Sequence, residues 1–411
     1  MDKVIVFIKS IGITKLDVVK AVREKGYRIA IAEKGYDNSN KIADYLIDTE
    51  ADNIDMLISD IAEFSLEHEV AAILSFTESG IEQAAAVTQV LGYPGPNYKS
   101  IKICRNKYLT RIEMKKNGLP TPGFFKAKSL GEIKDKISAL KFPVIIKPLN
   151  FSGSCSVARV DEFKELEDKF KLISSQREDS PFKDFMGDNI HDYWLIEEYL
   201  EGFEISVECF TYKGETFVAA IHDKMCQVEA PYFLEEVFVT PSPRISTELS
   251  NVIIDLTKRV LKTIDFNFGL SHVEYRVTKE GPVLLEINGR QGGGMVAESV
   301  CYSVGVNLPK IMVEMSLGMT PDVKLEKPKP VVFQTLIVEE GTIKEAKGFE
   351  DAQKNEKLKI AEQWAKPGDI IKARQAEYGG FILATGNEED DVNKIINIVK
   401  DAASKIEFTI E

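Results

Sequence analysis

The stretch "SHVEYRVTKEGPVLLEIN", residues 271–288, constrains the fold more than any other part of this sequence. Apolar and polar residues alternate on both sides of a turn-forming Lys-Glu-Gly, as in an antiparallel hairpin with one buried face. A three-residue loop at 279–281 pairs Thr278 with Pro282. Val277 then faces Val283, Tyr275 faces Leu285 and Val273 faces Ile287 on a wholly apolar side. On the other side Glu274 lies opposite Glu286, and His272 lies opposite Asn288. Directly opposed side chains have Cβ atoms roughly 4.5–5.5 Å apart, and two carboxylates that close repel. A proton kept by one acid, a bridging lysine or arginine, or a divalent cation relieves the repulsion. Asn288 adds a neutral oxygen, and Mg²⁺ characteristically takes one or two carboxylates together with substrate phosphates. For the hairpin alone, a solvated acidic face stays open as the other reading. The chain continues as "EINGRQGGGM", which puts Glu286, Asn288 and Arg290 on one face of an extended segment and leaves bare backbone at Gly292–Gly294.

With 411 residues, the chain exceeds one ordinary core, and two to three domains are expected. A net charge of −13 argues against a nucleic-acid surface, though not against a local basic pocket for a small phosphate ligand. The apolar run in "MDKVIVFIKS" is too short for a signal peptide or a membrane span, so a cytoplasmic protein with no membrane partner is expected. Cys104, Cys155, Cys209, Cys226 and Cys301 form no C-x-x-C pair and read as thiols in a reducing compartment. The four histidines form no zinc pattern.

Strand alternates with helix at the start: "KVIVFI" (3–8), a helix ending at Gly26, "YRIAIAEK", then "AAILSF" (71–76) and the helix "GIEQAAAVTQVLG". Such alternation predicts a small parallel sheet covered on both faces. The turn "KSIGITK" carries one glycine, too few for a dinucleotide fingerprint. A helix "KSIKICRNKYLTRIEMKKNG" follows, closed by Gly118 and Pro120. "FPVIIKPL" (142–149), "CSVARV", "YWLIEEYL", "EISVECFTY" and "TFVAAIHDK" read as strands. "DEFKELEDKFKLI" reads as a helix capped by Asp161, with a polar connector after it, and "STELSNVIIDLTKRVLKTI" as an amphipathic helix. "PDVKLEKPKP", from about 321, looks like a linker to a third unit of short strands and one late helix.

Lys147 ends an apolar strand and needs an anionic partner or an exit to solvent. Ser152, Gly153 and Ser154 follow in a small-residue turn that could close over phosphates, although a plain hairpin turn reads the same way. Lys107 alone reads as a surface charge, and "LIEEYLEGFE" as an edge strand and a turn.

The series as a whole resembles the ATP-grasp superfamily of carboxylate–amine ligases. It runs from Lys107 through Lys147 and the small-residue turn to "EEYLEGFEISVE", "HVEYR" and "EINGR". Among its branches the pattern looks most like the L-amino-acid ligases that make dipeptides. The resemblance implies an α/β (α+β) protein. A Rossmann-like domain would occupy residues 1–95 and an ATP-grasp module 96–320, with a lid at about 120–195. A small C-terminal α+β unit would occupy 321–411. It implies ATP phosphates on Lys107 and Lys147, and a flap of Ser152, Gly153 and Ser154. Glu197, Glu198, Tyr199 and Leu200 would line the adenine cleft, partly through backbone, and Glu204 would hold the ribose. Glu274, Glu286 and Asn288 would bind Mg²⁺ (or Mn²⁺), and Arg290 and Lys147 would be the catalytic cations. For substrate, Glu78 would take an ammonium or merely cap the next helix. His222 and Lys224 would face a carboxylate or phosphate or form a strand-end pair, and "PYFLEEVFVTPSP" would be a substrate loop. The activity implied is amide formation between small carboxylate and amine substrates, amino acids among them, through an acyl phosphate, in a homodimer. Glycinamide-ribonucleotide-type ligation or biotin-carboxylase-like carboxylation is the alternative. The chain departs from the family pattern at Asn106, where an acid is usual, and in a flap with the single glycine Gly153.

Overall fold

The computed structural model describes residues 1–11, 16–39, 41–150, 156–179, 192–228, 234–372 and 377–411 of the chain. The first unit is a four-stranded parallel sheet, in the order Tyr45–Ile47, Arg28–Ala32, Lys3–Ile8, Glu69–Leu74. Its two central strands are near-continuous apolar runs because helices cover both faces. The helix Ile54–Glu67 and the short strand Tyr45–Ile47, unassigned in the sequence reading, complete it.

The segment expected as one helix after this unit is two, Tyr98–Cys104 and Lys107–Lys116. Asn106 interrupts it. Its backbone is extended, and its side-chain oxygen accepts from the N–H groups of Tyr108 and Leu109, so it caps the second helix. The residue that departs from the family pattern thus still does an N-cap's work, and it sets Lys107 and Arg111 one turn apart on the buried face.

A small lid sheet runs Phe124–Ala127, Trp194–Glu198, Val144–Pro148, Ala158–Val160. The helix after it starts later than expected. Asp161 accepts from Arg159 instead of capping, a 3₁₀ turn Phe163–Glu165 follows, and the α-helix runs Leu166–Asp179 into the expected connector.

The main sheet has eight strands, in the order Gly281–Asn288, Gly269–Thr278, Phe203–Tyr212, Glu215–Val228, Leu234–Thr240, Val331–Val338, Glu377–Thr385, Leu358–Gln363. Residues 319–330 are extended without secondary structure, as a linker should be, but the sheet continues across them. Strand 331–338 pairs with 234–240, so the last unit is built onto the same sheet. Among the described residues, no helix is long and apolar enough to cross a membrane. Cys104 and Cys209 are buried thiols, and Cys301 is an exposed one.

Where the lid returns to the main sheet, the chain passes Gly202, at φ +147°, a backbone conformation open to glycine. A Cβ there would lie 2.1 Å from the Val277 carbonyl oxygen. We therefore expect Gly202→Ala to lower stability by about 1–3 kcal/mol. A shifted urea midpoint measures it, and an unchanged midpoint would show that the entry to strand 203–212 tolerates the clash.

Candidate active site

The hairpin brings the acids together as its pattern requires. Glu274 pairs with Glu286, Val273 with Ile287 and His272 with Asn288. Nearer the turn the register differs from the sequence reading, with Thr278 opposite Gly281, Val277 opposite Pro282 and Tyr275 opposite Leu284. The turn is therefore two residues, Lys279–Glu280, and Leu285 is an unpaired bulge that restores the register before Glu286. The bulge has a use: the Leu285 carbonyl accepts from Arg111 Nη2 at 2.9 Å.

Cations relieve the carboxylate pair. Lys107 Nζ donates to Glu286 Oε1 at 2.8 Å. His272 Nε2 donates to Glu274 Oε1 at 2.8 Å, and Lys224 Nζ lies 3.3 Å from the same oxygen. The other nitrogen of His272 bonds buried Glu208, whose second oxygen accepts from the Gly292 N–H at 3.3 Å. Burial disfavours charge on His272, but Glu208 and Glu274 outweigh it and lift the imidazole to about 10. Burial likewise opposes ionisation of Glu274, and Lys224 and His272 overcome it, holding the carboxyl below its ordinary range. A Cβ on Gly292 would lie 2.7 Å from His272 Nδ1, so the backbone must be bare here.

A second cluster ties lid to base. Glu197, on lid strand 194–198, is buried and accepts from Arg111 Nε at 2.9 Å and from Lys147 Nζ. Its side chain is thus a buried ion-pair acceptor shared by a helix and a lid strand. Glu198 accepts from the N–H groups of Gly123 (3.2 Å) and Lys141 (3.1 Å). The Tyr199 N–H donates to the Pro143 carbonyl, and the Arg159 guanidinium lies 4.2 Å from its ring. Leu200 is half-buried. Glu204 pairs with Arg276 (3.2 Å) and lies 3.8 Å from Lys224. Burial pushes the Lys147 ammonium down, partly offset by Glu197.

Arg290 is held by Glu78, one of whose oxygens takes Arg290 Nε while the other takes Arg105 Nη1. Burial raises the Glu78 carboxyl, yet the two guanidinium groups hold it at about 2. Of the two roles expected for Glu78, capping the next helix is not taken, since Gly80 stands at that N-cap with no side-chain cap bond. His222 is wholly buried, its Nε2 against the Ser299 hydroxyl, and burial lowers it to about 4; it belongs to the core beneath the site. Lys224, by contrast, reaches Glu274. The flap residues Ser152, Gly153 and Ser154 and residues 231–233 of the expected substrate loop lie outside the described residues; most of the rest of that stretch is the strand Leu234–Thr240 rather than a loop.

Glu274, Glu286, Asn288 and Arg290 line one cavity of about 210 Å³. Their donor set fits a hard cation. Each carboxylate has two oxygens and about four lone-pair sites, so one lysine or histidine contact does not exhaust it, and Asn288 supplies a neutral oxygen. Among the described residues, no cluster of three or more His, Cys, Asp or Glu could hold a metal, so an amide ligand is part of this assignment.

The sequence reading missed Arg111, His272, Glu208, Arg105 and Arg276 as working residues. Arg111 was readable, since it stands four residues after Lys107 on one helical face. Glu208 and Arg276 each sit in an alternating strand, where a single charge on the sheet's site face carries no signal without knowledge of its partner.

Residues 140–299 match the family model for the ATP-grasp domain. That stretch of the chain is an ATP-grasp domain. The chain is 21% identical over 341 residues to the L-arginine-specific L-amino acid ligase of Bacillus subtilis, covering 80% of this chain and 78% of that one. The L-amino acid ligase from Bacillus licheniformis shares its fold with a TM-score of 0.86 at 19% identity, over 100% of this chain and 99% of that one. The phosphoribosylglycinamide synthetase from Anaerococcus prevotii gives a TM-score of 0.72 at 18% identity, over 100% of both chains.

Glu197 joins Arg111 and Lys147, so its loss leaves buried charge unpaired. We expect Glu197→Gln to cost about 3–5 kcal/mol near neutral pH. Its carboxyl is depressed from 4.5 to about 2, so its contribution is full above about 4.5 and fades as pH falls toward about 2. Urea unfolding should show the gap between wild type and variant narrowing from about pH 7 to about pH 3; a gap independent of pH contradicts the assignment.

Proposed function

We propose that this ATP-grasp protein joins a carboxylate to an amine at the expense of ATP, releasing ADP and phosphate, with amino acids as both substrates. One observation carries the reading. The opposed Glu274 and Glu286, with Asn288 and Arg290, face a single cavity, and lysines from two other elements reach the acid pair.

ATP-grasp enzymes use ATP with Mg²⁺. Bound at Glu274, Glu286 and Asn288, the cation would screen phosphate charge and organise the polyphosphate. Lys107, on helix Lys107–Lys116, and Lys147, on strand Val144–Pro148, would hold the phosphates. To reach them, Lys107 exchanges Glu286 for phosphate and Lys147 loosens from Glu197. The substrate carboxylate attacks the γ-phosphorus in line, and the bond to the bridging oxygen breaks as ADP leaves. The amine nitrogen then attacks the acyl carbon, the carbon–oxygen bond to phosphate breaks, and the nitrogen loses a proton. Positioning and charge stabilisation supply most of the acceleration in phosphoryl transfer. Arg290 stabilises the charge that grows on the transferring phosphoryl group and then on the tetrahedral carbon, and a guanidinium stays ionised throughout. Glu78 and Arg105 fix its plane.

Phosphate release on mixing ATP, Mg²⁺ and pairs of amino acids tests the reading, with peptide product identified by mass. Release dependent on both partners is expected, and none with any pair rejects amino-acid ligation. Arg290→Ala should keep ATP binding and lose at least about tenfold to a hundredfold in turnover; turnover near wild type would remove Arg290 from the mechanism. Glu286→Gln should lose Mg²⁺-dependent activity, and persistence at ordinary Mg²⁺ would refute the metal assignment.

A further inference from the structure

The cavity beside Arg290 has two unlike ends. One is the polar face already described. The other is walled by Phe238, Val296, Phe333 and Phe381, from three strands and a helix. The rings are fixed: Phe238 and Phe333 stack at 4.5 Å, and Trp364 packs edge-on against Phe381 at 4.6 Å. Thr335 and Tyr378 also line the cavity, and its charged lining residues, among those described, all belong to the polar end. Gly293 and Gly294 keep it open. A Cβ on Gly294 would lie 3.0 Å from Phe381, whereas a Cβ on Gly293 would meet nothing within 4 Å. Gly293 therefore faces open space, and its φ is not in the left-handed region.

We propose that this cavity holds the side chain of the acyl donor and selects a large apolar or aromatic amino acid. The proposal rests on the ligase reading above. A carboxylate that is to be phosphorylated must lie at the Arg290 end, in contact distance of the transferring group. The side chain held between the rings of the same cavity belongs to that molecule. An apolar cavity of about 150 Å³ takes a benzene; the two ends together enclose about 210 Å³, so the apolar end takes at most a phenyl ring or a leucine or methionine side chain. A charged side chain would be buried there without a partner, and a small one would leave the rings uncovered.

Hydroxylamine separates the two substrates. With ATP, Mg²⁺ and one amino acid, its nitrogen attacks the acyl phosphate, phosphate leaves, and the hydroxamate, coloured by added ferric ion, marks that amino acid as the acyl donor. With the wild-type chain, hydroxamate is expected chiefly from phenylalanine, leucine and methionine. In Gly293→Leu the phenylalanine-to-alanine ratio should fall at least about tenfold, the scale of hydrophobic-pocket discrimination. Hydroxamate chiefly from glycine, aspartate or lysine overturns the proposal and leaves ligation standing. So does a profile in which apolar amino acids accelerate phosphate release only as the second partner, which gives the pocket to the amine. An unchanged ratio in a folded Gly293→Leu likewise overturns the pocket assignment. No hydroxamate from any amino acid overturns amino-acid activation itself, and this proposal with it.

Discussion

Two carboxylates are held face to face on adjacent strands, and much of the surrounding structure answers the repulsion between Glu274 and Glu286. Each answer comes from a different element. Lys107 arrives from a helix whose start is fixed by the Asn106 cap, and Lys224 from the fourth strand of the main sheet, counted from the hairpin's edge. His272 sits on the hairpin itself, kept charged by Glu208 behind it. Glu208 in turn holds the Gly292 backbone, so the arrangement reaches from the acid pair to the glycine loop in one chain of bonds.

The same logic joins the units to one another. Arg111 binds Glu197 of the lid and the Leu285 carbonyl of the hairpin, and Glu78, in the turn after strand Glu69–Leu74, clamps Arg290 and Arg105. Buried ion pairs add little net stability, because desolvation offsets much of their attraction. Their value here is registry. A guanidinium with two fixed partners cannot rotate freely, and on the proposed reading Arg290 presents one face to the substrate. Glu78 therefore matters through the orientation it imposes.

What the sequence disclosed follows from the range of the forces involved. Alternation along 271–288 revealed the acid pair because a buried sheet face enforces its period locally. The same rule misjudged the turn, since a bulge at Leu285 lets two registers coexist in one hairpin and leaves no compositional mark. The helix break at Asn106 was legible in principle as a cap residue between two periodic stretches. Glu197 misled because its neighbours in "LIEEYL" look alike, and only the partner Arg111, far away in sequence, decides which acid turns inward. His222 misled for the opposite reason. A strand-end histidine looks accessible until helix Val296–Val304 covers it and Ser299 takes its nitrogen. Continuity of the main sheet across 321 could not be read, because the pairing of 234–240 with 331–338 spans a linker whose composition suggests separation.

The charge balance of the site reverses that of the chain. The protein carries a net −13. Yet Arg105, Lys107, Arg111, Lys147, Lys224, His272, Arg276 and Arg290 outnumber the acids they contact, which are Glu78, Glu197, Glu204, Glu208, Glu274 and Glu286. A surplus of buried cations is costly unless an anion completes it. Such an excess, gathered where lid and base meet, matches a polyphosphate and a second carboxylate arriving together. On the ligase reading proposed above, phosphate oxygens take the place of the acids that Lys107 and Lys147 now contact. An acidic exterior fits this arrangement, since it leaves the cleft as the place where positive potential is concentrated.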